Sequence, residues 1–221
     1  MTFALRRSIT RSLRIATALG LAATLPLAAQ DPDKLDKLDQ TSRFAVDQAI
    51  DSANAMGLPG YYLRSTALQG IALHADPKKI VAAVRLDFNY LKTAHAALGT
   101  ASAEELIAGA AVLHAGAKPT QLAPFRARQK GRSDIQAFTV WADLMTRNVP
   151  SEEASSAITK LWQDGADDDT FVGLWNAVQS DIIKGLNPGA ALQNRIRETP
   201  GRPTPNKVTP PEGPQENQSS R

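Results

Sequence analysis

Apolar residues along this chain recur at the three- and four-residue spacing of an α-helix, and no alternation typical of β-strands appears. One such series is Ile80, Val84, Phe88, Leu91 and Leu98. Another is Phe171, Leu174, Trp175, Val178 and Ile182. Breaks fall near residues 57, 75, 100, 117, 130, 149, 166 and 186. The pattern predicts an all-α fold, an irregular bundle of about eight or nine helices joined by tight Gly/Pro turns.

Six of these breaks share a short helix-turn-helix element. Its first residue is glycine, asparagine or, once, histidine, because a helix commonly ends in a left-handed residue. An apolar residue that packs back on the last turn follows, and then a capping residue or a proline that begins the next helix. The copies are "GLPGYYL" at Gly57, "HADPKKI" at His74, "GAKPTQL" at Gly116, "NVPSEEA" at Asn148, "GADDDTF" at Gly165 and "GLNPGAA" at Gly185.

Three successive aspartates in "QDGADDDTF" raise the question of a calcium loop. An EF-hand counted from Asp164 would need an oxygen ligand at its third position and glutamate at its twelfth. Those positions hold Ala166 and Trp175. We therefore predict that Asp167 caps the next helix, with Asp168 and Asp169 in its first turn.

The first 29 residues have the layout of a secretory signal peptide. Four arginines precede an apolar run from Ile15 to Leu27, which is shorter than a membrane span and closes on Ala28 and Ala29. We expect the mature chain to begin near Gln30, without a membrane span, in the periplasm or outside the cell. The paired arginines near the start leave the twin-arginine route open beside the general secretory one.

Removal of this segment changes the charge of the protein. It takes away four arginines and no acid, so the formal net charge falls from +3 to −1. The basic excess therefore belongs to the signal, and nucleic acid is not an expected partner. The chain has no cysteine, which excludes disulfides and a lipid-modified N-terminal cysteine.

The other end of the chain, residues 197–221, is rich in proline and poor in large apolar side chains. Such a segment buries too little surface to offset its chain entropy, so we predict a disordered tail. Residues 30–196 then form one α-helical domain.

The repeated element and the stretches "KKIVAAVRLDFNYLKTAHAALG" and "LWQDGADDDTFVGLWNAVQSDIIKGLNPGAAL" resemble uncharacterised secreted helical proteins of bacteria. That resemblance covers most of residues 57–196 and implies no activity or site. The stretch "LWQDGADDDTFVGL" is also similar to the short SHOCT hairpin, which would imply a role in assembly.

Candidate catalytic chemistry is sparse. Helical geometry separates His95 from His114 by about 18 Å, and His74 from His95 by about 30 Å, so they should not share a metal ion. No Gly-x-Ser-x-Gly motif and no phosphate-cradling glycine loop occurs. Asp87 and Asp143 would form a carboxylate pair only through tertiary contact, and Asp143 has Arg147 at ion-pair spacing. We expect no cofactor and no metal.

Aromatic side chains offer a second kind of candidate, a platform for a glycan or peptide. The residues concerned are Trp141, Trp162, Trp175, Tyr61 and Tyr62. Two of the tryptophans share a helix face with apolar residues, which favours packing in the core over a platform.

The segment "FRARQKGR" concentrates cations in one break between helices. Arg126, Arg128, Lys130 and Arg132 form the candidate binding site, with an anionic envelope polymer or an unknown protein as partner. A solvated loop is the alternative. The sequence thus favours a secreted or periplasmic interaction or assembly module without catalysis. The other hypothesis is a cell-envelope enzyme, a hydrolase, whose site combines residues distant in sequence.

Overall fold

The computed structural model describes residues 32–127 and 132–198, and within these ranges it is helical and free of β-strands. Short 3-10 helices at Pro32–Lys37 and Ala123–Arg126 accompany nine α-helices. The latter are α1 (Gln40–Ala55), α2 (Gly60–Ala72), α3 (Pro77–Leu98), α4 (Ala103–His114), α5 (Pro119–Leu122), α6 (Ile135–Thr146), α7 (Ser151–Gln163), α8 (Asp168–Ile183) and α9 (Pro188–Glu198). The predicted all-α class and helix number are confirmed.

The chain divides into two units, Met1–Lys34 and Leu35–Arg221, and all nine α-helices belong to the second. Helices α1, α2 and α3 pack on one another, and α3 also packs on α4 and α5. Helix α4 contacts α6, which in turn packs on α7 and α8, and α9 lies against α7 and α8. The result is an irregular bundle, since the partners change from one helix to the next.

All six predicted helix ends adopt the left-handed geometry that the sequence pattern indicated. The residue at each end has a positive φ, from 52° at His74 to 107° at Gly116. The next amide then donates to the carbonyl five residues earlier, as from Ala166 to Leu161 at 2.9 Å. This is the Schellman hydrogen bond, and it satisfies a carbonyl that the helix leaves free.

The predicted helix starts are also present. The side chains of Asp76, Asp167 and Asn187 each accept a hydrogen bond from a backbone amide in the following helix. Ser102 and Glu105 form the predicted capping box, with bonds of 3.1 Å and 2.8 Å. Each of these contacts satisfies an amide hydrogen at the start of a helix.

The core face of α3 differs in one respect from the predicted apolar series. Its buried residues are Ile80, Val84, Asp87, Leu91, Ala94 and Leu98. A carboxylate therefore occupies the middle of the buried face, whereas the neighbouring Phe88 is only partly buried. An acid on a core face needs a polar partner, so Asp87 indicates a polar contact between helices.

The two predicted terminal segments lie largely outside the described residues. Residues 1–29, the predicted signal, and residues 199–221 of the predicted tail are among those that the structure does not describe. Helix α9 runs to Glu198, two residues beyond the predicted boundary at 196. Within the described ranges, no single helix has both the length and the apolar composition needed to cross a membrane.

Candidate functional site

The basic segment begins at an aromatic cluster. Phe125, in the second 3-10 helix, is fully buried. Its ring centroid lies 4.8 Å from that of Trp162, 4.9 Å from that of Phe138 and 6.0 Å from that of Trp141. Tilted ring pairs at these distances are favourable, so the segment leaves the core from a fixed point.

The segment returns to the core at Asp134, which is 3% exposed. Its carboxylate accepts a hydrogen bond from the indole nitrogen of Trp162 at 2.6 Å. Its own amide donates to the carboxylate of Glu105, a residue 4% exposed, at 3.4 Å. Two buried carboxylates therefore lie where the basic segment rejoins the bundle, and one of them also caps α4.

The structure describes two of the four predicted cations, and each of them lies beside a different turn. Arg126 is exposed, and its Nε lies beside Gly99 at the turn between α3 and α4. Arg132 is partly buried and donates to the carbonyl of Ala166 in the turn between α7 and α8. Arg128 and Lys130 lie outside the described residues, so their contribution to the predicted site stays a prediction. Arg132 is not the solvated side chain of a free loop.

Arg132 lies beside the three aspartates of the α7–α8 turn. Together with Ser133 they line a shallow depression of about 350 Å³. Asp167 accepts from the amide and the hydroxyl of Thr170, at 2.9 Å and 2.6 Å, which confirms the predicted N-cap. Asp168 and Asp169 stand in the first turn of α8, where negative charge is favoured.

A second depression, of about 310 Å³, lies among α7, α8 and α9. Its two charged residues are Arg195 and Glu198, which bond each other at 2.7 Å. Arg195 also holds the buried Asp181 through two parallel bonds of 2.7 Å. Both depressions are near the lower limit of size for a small-ligand pocket. Asp167 in the first serves as a helix cap, and Arg195 and Glu198 in the second form ion pairs.

Helices α2, α3 and α4 bring together a polar group that sequence reasoning did not identify. Asp87 of α3 accepts a hydrogen bond from the hydroxyl of Thr66 of α2 at 2.7 Å. Its other oxygen lies 3.7 Å from Nδ1 of His114, in the last turn of α4. The Tyr90 ring lies over that imidazole, with centroids 5.2 Å apart. We call Asp87, Thr66 and His114 the interhelix polar cluster.

Burial governs the acidity of this interhelix polar cluster. Desolvation raises the pKa of the Asp87 carboxyl above its usual value, while Thr66 and His114 act in the opposite direction. Burial, together with the nearby Asp87 charge, raises the pKa of Tyr62 to about 12. The arrangement pairs a buried carboxyl with a half-exposed imidazole whose Nδ1 lies 3.7 Å away, beyond the usual length of a hydrogen bond.

The other histidines lie apart from this cluster in the fold. His74 ends α2 with a positive φ, and His95 is exposed in the last turn of α3. Among the described residues, no group of three or more His, Cys, Asp or Glu side chains is arranged to hold a metal ion.

The aromatic residues pack largely as predicted. Trp141 and Trp162 are buried in the core, and the partly buried Trp175 packs against it. The guanidinium of Arg147 lies 6.0 Å from the Trp175 ring centroid, at the limit of a cation–π contact. Tyr61 is 45% exposed, so the five aromatic residues do not form one surface platform.

One sequence signal could have revealed the interhelix polar cluster. Asp87 stands where the spacing of the α3 core face requires an apolar residue, and a buried acid needs a hydrogen-bond partner. That signal predicts a partner without naming it, because Thr66 and His114 belong to other helices.

No protein-family model, no curated protein and no solved structure matches this chain.

Proposed function

We propose that this chain is an exported helical interaction module that binds an anionic envelope polymer or partner without catalysing a reaction. The proposal combines the signal-like start of the chain with a bundle built from tightly capped helices. The resemblance to secreted helical proteins of bacteria and to SHOCT agrees with it.

One observation carries the non-catalytic part of this proposal. Charged groups in both depressions have structural partners: Asp167 caps α8, and Arg195 bonds Asp181 and Glu198. A hydrolytic site would instead present a nucleophile and a base to the same open volume. The surface of the bundle is then the part that meets a partner.

A second candidate function, an envelope hydrolase, has one observation in its favour. The Asp87–His114 pair joins a buried carboxyl to a half-exposed imidazole, which is an arrangement used in general acid–base catalysis. The hydroxyl of Thr66 points to Asp87 rather than to His114, so it is not activated as a nucleophile in this geometry.

The test of binding uses the chain from Gln30 onward, immobilised and exposed to a bacterial envelope extract. We expect retention of an anionic component that salt releases. A matched column carries the protein with Arg126, Arg128, Lys130 and Arg132 replaced by serine, and weaker retention there would assign the contact to the basic segment. Retention of nothing by either column would contradict the proposal.

Export has its own test. Mass spectrometry of the protein recovered outside the cytoplasm should give an N-terminus close to Gln30. Recovery of a chain that still begins at Met1 would contradict cleavage of the signal.

A further inference from the structure

Helix α3 carries a row of cations along its solvent-facing side. Lys78, Arg85 and Lys92 are each seven residues apart, a spacing that returns to nearly the same side of a helix. The rise of an α-helix places consecutive members about 10.5 Å apart along the axis. We call these three residues the α3 cation row. Lys79 adds a fourth charge beside its first member.

The row has no acidic neighbours on its own helix. The one acid within α3 is Asp87, which is buried on the opposite side, and the preceding Asp76 caps the helix. Helix α2 contributes no acid at all. Among the described residues, no member of the α3 cation row forms an ion pair, whereas Arg43, Lys118 and Lys160 each pair with an acid.

The positions between the cations are accessible to solvent. Ala82 and Asn89 separate the members of the row, and both are exposed. Lys92 lies over the ring of Phe88, 4.8 Å from its centroid, which favours an orientation along the helix surface. Small residues between aligned charges let an extended chain approach the helix closely.

We propose that the α3 cation row is the docking surface for a linear polyanion, a polymer that carries phosphate or sulfate groups along its length. This deepens the proposed function, on which it rests, by assigning the anionic partner to α3. Three charges in single file match a linear array of anions, whereas a lipid surface would favour a broad patch with several large apolar side chains. Leu86 is the one large aliphatic side chain of α3 that is strongly exposed.

The test measures binding of the full mature chain to polyphosphate and to heparin over a range of salt concentrations. In the row variant, Lys78, Arg85 and Lys92 are replaced by glutamine. Because Lys78 and Arg85 are exposed and Lys92 is only partly buried, circular dichroism should show an unchanged fold. We expect affinity to fall at least tenfold. The slope of log Kd against log salt should decrease by about 2, at about 0.7 for each phosphate that the variant no longer neutralises.

A matched control removes the same charge elsewhere. Lys37, Lys184 and Arg197 are exposed, and their replacement by glutamine also lowers the net charge by three. That variant should bind as the wild type does. Equal weakening in both variants would reduce the effect to net charge and overturn the inference.

Two further arms separate this inference from the proposed function. If the serine variant of the basic segment loses binding while the row variant retains it, the module binds polyanions but the α3 assignment is wrong. Binding to vesicles of phosphatidylglycerol and phosphatidylcholine, without binding to either polymer, would replace the polyanion by a lipid surface. A wild-type protein that binds none of these probes would overturn the inference, while the envelope-extract column tests the proposed function independently.

Discussion

Asp87 and His114 connect the core of the bundle to its surface: a carboxyl oxygen of one lies 3.7 Å from Nδ1 of the other, and the carboxyl is buried while the imidazole is half exposed. The two residues come from α3 and α4, helices that pack closely on each other. The contact therefore reports how these helices are aligned, and the burial of Asp87 makes one part of the stability depend on pH.

The first prediction concerns Asp87→Asn. Because burial raises the pKa of Asp87 above its usual 3.8, its contribution to stability is complete below that pH and is lost as pH rises through the folded-state pKa. Asparagine can still accept a hydrogen bond from the Thr66 hydroxyl, but it does not ionise and so loses no stability as pH rises. Urea denaturation between about pH 3 and pH 7 should show the variant gaining stability relative to wild type as pH rises.

The exposed Asp51 on α1 supplies the control for this experiment, since Asp51→Asn also removes one negative charge. If Asp87→Asn instead destabilises the protein increasingly as pH rises, the ionised carboxylate is favoured in the fold and the account of its burial is wrong.

The second prediction concerns the cap of α8. Asp167→Ala should cost about 1 kcal/mol of unfolding free energy, whereas Asp167→Asn and Asp167→Ser should cost little, because each keeps an oxygen that accepts from Thr170. Thermal melts with calcium and with a chelator test the alternative. A calcium-dependent rise in Tm that Asp167→Asn abolishes would show that the aspartates bind the ion.

The third prediction compares two glycines that both have room for a methyl group. Gly165 has φ 82°, and a Cβ added there would lie 3.9 Å from the nearest side-chain atom. A Cβ added at Gly173 in α8 would have no such atom within 4 Å. Gly165→Ala should destabilise by about 1 kcal/mol through backbone strain alone, and Gly165→Val by more. Gly173→Ala should stabilise by about 0.5–1 kcal/mol.

Equal effects at these two glycines in chemical denaturation would contradict the left-handed geometry of the α7–α8 turn, since a change in side-chain volume is common to both substitutions.

The fourth prediction concerns the attachment of α9 to α8. The two bonds from Arg195 lower the pKa of Asp181, so this carboxylate contributes stability above its usual 3.8 that is lost as pH falls through the lower folded-state pKa. The difference in Tm between wild type and Asp181→Asn should be largest near neutral pH and should shrink in acid. Glu198→Gln is the control, because an exposed ion pair contributes little. A difference that stays constant with pH would assign the effect to packing.

The helix ends could be predicted from the sequence because each depends on a few adjacent residues. Gly165, Ala166 and Asp167 specify a left-handed end, an apolar contact and a cap within three positions. Even His74 and Asn148, which are not glycine, take the expected positive φ.

Contacts between helices could not be predicted from the local sequence pattern. The Asp87–His114 pair depends on how α3 and α4 are aligned, and the bond from Arg132 to Ala166 depends on how two connecting segments meet. Periodicity shows which face of a helix is buried without showing what that face contacts. The sequence predicted one cluster of cations in the basic segment because these residues are close together along the chain. In the structure Arg126 and Arg132 lie beside different turns.

Binding without catalysis is tested most directly by the chain length of a bound polymer. Wild-type protein, residues 30–221, would be incubated with polyphosphate, with heparin and with envelope polymer, and each polymer would be recovered and sized. The account predicts salt-sensitive binding and polymers of unchanged length. Polymers shortened by the wild type but left intact by Asp87→Asn and His114→Ala would contradict it and show that the Asp87–His114 pair is catalytic.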